Sequence, residues 1–216
     1  MDSTLNLLVF AALGYLLGSV PFAVIVSRAF RLADPRSFGS GNPGATNVLR
    51  SGSKAAALLT LLGDAAKGWL AMFLAAKVMQ SGIPFWDGAD GTAIAVAGLA
   101  AFLGHVFPFT LGFRGGKGVA TALGVLLGFS GALAGITAAV WLAVVVFTRY
   151  SSLGALAAAA AAPVISWWLL ARGEITATIT VMCAVLIYRH KSNIRKLLAG
   201  SEGRIGGPKS PPAENV

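Results

Sequence analysis

Two glycine-framed cationic stretches and a polar segment near the end of the chain hold the side chains best suited to chemistry. In one, Gly115-Gly116-Lys117-Gly118 leads straight into an uncharged run that ends at Thr148. A lysine at the start of a helix joins free amide N–H groups and the positive end of the helix dipole, a combination that favours phosphate. A nucleotide-binding P-loop does not fit, because Leu111 replaces the leading glycine and Gly118 follows the lysine where Ser or Thr is required. The other is Gly39-Ser40-Gly41-Asn42-Pro43-Gly44-Ala45-Thr46-Asn47-Val48-Leu49-Arg50. Its glycines match G-x-G-x-x-G, but no strand precedes them and no βαβ unit carries an acidic residue about 20 positions on, so a dinucleotide site is not indicated. What remains is an anion cradle: glycine backbone able to curl, with the hydroxyls and amides of Ser40, Asn42 and Asn47 and the guanidinium of Arg50 to complete it. In the last segment His190 and Asn193 stand three apart, on one face of a short helix, and Glu202 is the carboxylate nearest the basic residues after Tyr188. No group of His, Cys, Asp and Glu has metal-ligand spacing, so neither a metal nor a cofactor is expected.

These groups need a scaffold, and the composition describes one. Of 216 residues, 56% are hydrophobic and 12% charged, against about 25% charged in a typical soluble domain. A mean hydropathy of +0.76 excludes an ordinary soluble fold and disorder alike and indicates an all-α integral membrane protein. The net charge of +9 in so apolar a chain marks loops beside anionic lipid, or a site for an anionic substrate, and not a nucleic-acid surface.

Apolar runs that approach a bilayer's thickness cover Leu5 to Ser27, Ala55 to about Met79, Thr92 to Leu103 or a little beyond, Leu153 to Ala171 and the shorter Ile175 to Tyr188. The first keeps Asp2 before it and Arg28 after it, the reverse of a cleaved signal peptide. Gly118 to Thr148 would form one helix of about 46 Å, too long for one span. Gly128 and Gly131 offer a turn within it, so two short helices are expected and the count is seven. With the N-terminus outside, every Lys and Arg except Lys67, Lys77 and Arg172 falls on the cytoplasmic side, as the positive-inside rule requires, and Asp87 and Asp90 fall opposite. Asp64 and Lys67, three apart in the second span, are expected to pair and face the bundle. Ala157 to Ala162 suits close helix packing. Residues 1–206 read as one transmembrane domain and 207–216, with its Gly-Pro-Lys-Ser-Pro-Pro, as a disordered cytoplasmic tail.

The glycine-rich loop from Gly39 to Arg50, the stretch Phe113-Arg114-Gly115-Gly116-Lys117-Gly118-Val119-Ala120-Thr121, and His190-x-x-Asn193 with Gly200-x-Glu202 together resemble the bacterial acyl-phosphate:glycerol-3-phosphate acyltransferases, the PlsY type. The resemblance spans about residues 5–205 and keeps the order and spacing of all three motifs. Pro43 departs from the family's pattern, and the tail after Gly207 is not covered. The resemblance implies a seven-helix bacterial inner-membrane enzyme with a cytoplasmic active site. It implies acyl transfer from acyl phosphate to glycerol 3-phosphate, yielding lysophosphatidate and inorganic phosphate, the first step of phosphatidic acid and phospholipid synthesis. It further implies that neither acyl-CoA nor acyl carrier protein is the direct donor, and that Ser40, Arg50, Lys117, Ser152 (the better match of the Ser151-Ser152 pair), His190, Asn193 and Glu202 line the site.

Acyl phosphate already carries a good leaving group, so orientation and charge stabilisation are the main needs. Lys117, the amides of Gly115, Gly116 and Gly118, and Arg50 are expected to hold phosphate oxygens, helped by Gly39, Gly41, Asn42 and Asn47 in the first loop. Ser40 and Asn193 can orient glycerol hydroxyls, and Glu202 can accept a hydrogen bond from glycerol 3-phosphate. The His-x4-Asp dyad of other glycerolipid acyltransferases is absent, since Thr110 and Arg195 stand five positions after His105 and His190. Three routes remain for the hydroxyl proton: to the departing phosphate, the preferred one, to His190, or through an acyl-enzyme on Ser40. A transporter of a phosphorylated metabolite is the alternative class, but it needs ionisable groups near the midplane, where this chain has only Asp64 and Lys67. A purely structural lipid anchor would need no glycine-framed lysine.

Overall fold

The computed structural model describes residues 3–78 and 91–206. Asp87, Asp90 and the tail 207–216 lie outside the described residues. Every element among the described residues is helical: α1 (Ser3–Gly18), α2 (Phe22–Ala29), α3 (Ala45–Leu49), α4 (Lys54–Val78), α5 (Gly91–Val106), a 3-10 turn (Phe109–Leu111), α6 (Val119–Phe129), α7 (Gly131–Thr148), α8 (Ser151–Leu170), α9 (Gly173–Arg189) and α10 (Lys191–Leu198). Five stretches are long and apolar enough to cross a membrane: Leu7–Ala29, Lys54–Val78, Gly91–Leu111, Gly131–Thr148 and Ser151–Leu170. The helices α6 and α9 are shorter, at 11 and 17 residues.

The first span differs from the continuous helix expected of it. It breaks between Gly18 and Phe22 into α1 and α2, because Pro21 lacks an N–H and its ring crowds the preceding turn. The carbonyl of Val20, left in the break, accepts a hydrogen bond from Lys67 Nζ at 2.8 Å. The long run after Lys117 divides as its length requires. Ser130 turns to extended backbone (φ −166°, ψ 130°), and its Oγ accepts from the Leu133 N–H at 3.3 Å, capping α7.

Small residues set the helix spacing. Gly14 and Gly18, one turn apart on α1, lie so close to α5 that a Cβ on either would collide with the carbonyls of Ala97 and Ala101, and Gly104 meets Tyr15 the same way. Gly68 and Gly124 hold α4 and α6 in equally close contact. Within the alanine-rich α8, Ala155, Ala158, Ala159 and Ala162 are buried. Larger side chains such as Met72, Ile94, Phe102, Leu133 and Ile179 fill the core between helices. Others point outward, Phe147 87% and Trp168 82% exposed, as lipid-facing surfaces do. Asp64 and Lys67 pair at 2.8 Å, both buried. This is an integral membrane bundle, and its loops at the α2–α4 and α5–α6 junctions carry the conspicuous polar motifs.

Candidate active site

Asn47, on the short helix α3, organises the first loop. Its Nδ2 donates to the carbonyls of Pro35 (2.6 Å) and Phe38 (3.1 Å), and its Oδ1 accepts the Ser40 N–H at 3.0 Å. Gly39, at φ +60°, lets the backbone press against that oxygen, where a Cβ would collide. Asn47 is therefore a structural knot, 2% exposed, and not the phosphate ligand expected from its type. The Gly41 N–H is likewise engaged, by Phe38 O at 3.0 Å, and Asn42 folds back on Gly44. A bidentate Arg36–Asp34 pair braces the loop entry, its hydrogen bonds holding the Asp34 carboxyl down at about 2. The exposed side chains of this loop are those of Ser40, Thr46, Leu49 and Arg50, of which Arg50 alone is charged.

The loop before α6 shows a similar division of labour. Gly115 N–H donates to Val106 O and Gly116 N–H to His105 O, both at 3.2 Å. These two amides, expected to face phosphate, instead pin the loop to the end of α5. Gly118, at φ +85°, packs on the Phe102 ring and starts α6. The anion-binding capacity that remains is the Lys117 ammonium and the first turn of α6, whose N–H groups have no helical partners by position. Arg189, one of the basic residues expected on the cytoplasmic side, donates to Gly115 O at 2.9 Å and lies over the Phe107 ring at 5.6 Å.

The segment after α10 completes the site. Ile205 N–H donates to Arg149 O at 2.8 Å, and the Arg149 guanidinium donates twice to Ile205 O, at 2.8 and 3.1 Å. Arg204 donates to the Tyr150 hydroxyl at 3.1 Å and stacks over its ring. This strap lays Glu202 beside the start of α8. Ser152 Oγ and Asn193 Nδ2 both donate to Glu202 Oε1, at 2.6 and 2.7 Å, and Lys117 Nζ donates to Asn193 Oδ1 at 2.5 Å. Four residues from four elements thus form one hydrogen-bonded line. Ser151 points elsewhere, 3.3 Å from the Thr46 hydroxyl, which separates it from Ser152. An Arg50 guanidinium nitrogen lies 3.4 Å from where a Cβ on Gly203 would stand, beside Glu202. Ser40 gives its amide to Asn47, and its exposed hydroxyl is not part of the line.

Electrostatics follow from this placement. Burial pushes Lys117 down to about 8. The Glu202 carboxylate opposes that shift, while the Arg50, Lys196 and Arg189 charges reinforce it, so Lys117 stays mostly protonated at pH 7. His190, at the α9–α10 junction, is 2% exposed. Its Nδ1 lies 2.8 Å from the Leu186 carbonyl; a carbonyl only accepts, so Nδ1 bears the proton and Nε2 the lone pair. Burial lowers the ring to about 4, against the Leu186 carbonyl and the Glu202 charge and with the Lys117 charge adding to the fall. His190 is neutral at physiological pH.

A lipid-exposed helical bundle carrying an ordered, cationic polar site defines an integral membrane protein equipped for anionic substrates. The glycerol-3-phosphate acyltransferase family model matches residues 8–200, and the chain belongs to that family. It is 60% identical over 198 residues to a glycerol-3-phosphate acyltransferase of Laribacter hongkongensis, covering 91% of this chain and 95% of that one. The corresponding protein of Aromatoleum aromaticum is 56% identical over 206 residues, with 95% and 100% covered. The crystal structure of PlsY (YgiH), an integral membrane glycerol 3-phosphate acyltransferase, in its glycerol 3-phosphate form superposes with a TM-score of 0.84 at 36% identity, covering 93% of this chain and 96% of that one. Its lysophosphatidic acid form gives 0.82.

Proposed function

We propose that this chain transfers an acyl group from acyl phosphate to glycerol 3-phosphate, releasing 1-acyl-glycerol 3-phosphate and inorganic phosphate. In this reading residues 1–206 are one domain with seven membrane-crossing helices, the short α6 and α9 included, and 207–216 is a cytoplasmic tail. The N-terminus is outside and the site opens to the cytoplasm at a bacterial inner membrane. The observation that carries the reading is the line Lys117–Asn193–Glu202–Ser152 in a member of the glycerol-3-phosphate acyltransferase family.

In the reaction the 1-hydroxyl oxygen of glycerol 3-phosphate bonds to the acyl carbonyl carbon and the carbon–oxygen bond to phosphate breaks. Lys117, with two N–H bonds left beyond Asn193, and Arg50 hold phosphate oxygens and stabilise the charge that grows on the leaving group. Glu202 fixes Ser152 and Asn193, so the Ser152 hydroxyl and the Asn193 amide offer a rigid edge to the acceptor. Neutral His190 supports an orienting role: Nε2 accepts a hydrogen bond from the acceptor hydroxyl, but a ring at about 4 is too weak a base to keep the proton. A phosphate oxygen, with a second pKa near 6, is the better acceptor, and the proton leaves on the phosphate released. Neither acyl-CoA nor acyl carrier protein supplies that internal base, which is why acyl phosphate is the proposed donor.

The test uses the full chain in lipid vesicles with glycerol 3-phosphate and, separately, acyl phosphate, acyl-CoA and acyl carrier protein. Lysophosphatidate and phosphate should form in equal amounts from acyl phosphate alone, and Lys117→Ala should lower the rate at least 100-fold. Equal rates from acyl-CoA would overturn the donor assignment, and full activity in Lys117→Ala would overturn the site.

A further inference from the structure

We infer that His105, braced by the buried Asp64–Lys67 pair, is a positioning residue that holds the backbone under Lys117. The inference rests on the acyl-transfer reading above and adds residues that the chemical line does not touch.

On α4, Lys67 Nζ bonds Asp64 Oδ1 and the Val20 carbonyl, each at 2.8 Å, and lies 5.9 Å from the Phe22 ring centre. His105, in the last turn of α5, places Nδ1 3.4 Å from the same Asp64 oxygen, a close polar approach that is not in hydrogen-bond geometry. All three side chains are buried. The opposite edge of the imidazole abuts Gly116: a Cβ there would collide with Nε2 and stand 3.1 Å from the Pro43 carbonyl. The His105 carbonyl meanwhile accepts the Gly116 N–H. One residue therefore grips Gly116 by ring and by backbone, where the first loop, through buried Pro43, meets the second. Lys117 is the next residue, and its ammonium joins Asn193.

An ion pair at this depth is costly to insert, and a helix-to-helix brace alone would not require a histidine beside it. What the histidine adds is contact with Gly116. The chain of contacts runs from a charge pair on α4 tied to the α1–α2 break, through an aromatic wedge, into the turn that aims the lysine. A displacement of about 1 Å at a reacting group can cost on the order of 100-fold in rate.

The test measures glycerol 3-phosphate acylation and its pH profile in vesicles for wild type, His105→Ala, Gly116→Ala and the double variant. The groups that face Lys117, namely Glu202, Arg50, Lys196, Arg189, Asn193 and His190, stay in place in all four. Each single variant should lose at least 10-fold in kcat/KM, and the double should be no worse than the worse single, because removing the ring makes room for the added methyl. In His105→Ala the basic limb, set by a Lys117 at about 8, should move upward as the lysine gains water. If His105→Ala does not fold, Asp64→Asn, which keeps the side chain's size, should show the same loss and the same upward limb. Activity within twofold of wild type in the folded variant, or losses that multiply with an unmoved limb, would overturn the inference. A wild type without activity would instead refute the acyl-transfer reading.

Discussion

Glu202→Gln is the sharpest probe of the hydrogen-bonded line. The carboxylate accepts from Ser152 at 2.6 Å and from Asn193 at 2.7 Å on one oxygen, and its charge favours the protonated form of Lys117. Glutamine keeps the size and one accepting oxygen but removes the charge. Hydrogen bonds to a charged group contribute about 1.5–3 kcal/mol each. Glutamine's remaining oxygen can keep both, but as neutral bonds of about 0.5–1.5 kcal/mol each, so the pair weakens by about 2 kcal/mol, roughly 30-fold at 1.36 kcal/mol per tenfold. Without the carboxylate no negative charge opposes the burial and the neighbouring Arg50, Lys196 and Arg189 charges, so Lys117 should deprotonate below pH 8 and the basic limb should move down. The assay is initial lysophosphatidate formation at subsaturating glycerol 3-phosphate from pH 6 to 9.5. Ser152→Ala, which removes a single bond and no charge, should lower the rate less and leave the limb in place. If Glu202→Gln stays within twofold of wild type with an unmoved limb, Glu202 does not organise Lys117 and the line has no functional meaning.

The remaining predictions follow from burial and contact. Histidine-selective NMR should show the His190 ring neutral down to pH 5, with Nδ1 protonated; a midpoint near 6.5 would contradict its burial. Because the folded value, about 4, lies below the ordinary 6.5, the unfolded chain binds this proton more readily. His190's contribution to stability should then be intact above pH 6.5 and fall as pH drops from 6.5 to 4. Gly18→Ala forces a Cβ into the Ala101 carbonyl and should cost about 1–3 kcal/mol in thermal or denaturant unfolding. Gly135→Ala, with nothing near its Cβ and an exposed site in mid-helix, should be neutral or stabilising, and equal effects at the two positions would refute the close α1–α5 contact. Asn47→Ala unties three hydrogen bonds at once; limited proteolysis should cut the 30–53 loop faster, and acylation should fall at least 10-fold.

Hydropathy and length located the helices well because lipid imposes a single requirement on each. The division at Ser130 was legible for the same reason: one helix through that run would overshoot the bilayer, and two glycines marked the place. The break at Pro21 was equally present in the sequence but hidden inside an uninterrupted apolar run. In the site, residue types pointed to loops that the fold brings together, and Ser152, the better match under the resemblance, is the serine bonded to Glu202 while Ser151 lies beside Thr46. What they did not reveal was which polar groups are already engaged. Asn47, Gly115 and Gly116 look like ligands by composition, yet their hydrogen-bonding capacity is used to shape loops, a fact that depends on contacts with Pro35, His105 and Val106. The strap at Arg149 and Arg204 was also invisible, since only the folded turn between α7 and α8 makes Ile205 its neighbour.

That strap bears on how the protein is made. Synthesis releases the candidate site's residues in the order Ser40, Arg50, Lys117, Ser152, His190, Asn193, Glu202, and the carboxylate that joins α8 to α10 emerges after every helix of the described residues. A chain still on the ribosome can thus have inserted all its apolar segments and yet lack the group that orients Ser152 and Asn193. Docking of residues 204–205 on the α7–α8 turn would be the final event, so that helix insertion and the onset of catalysis are separate moments in the life of the molecule.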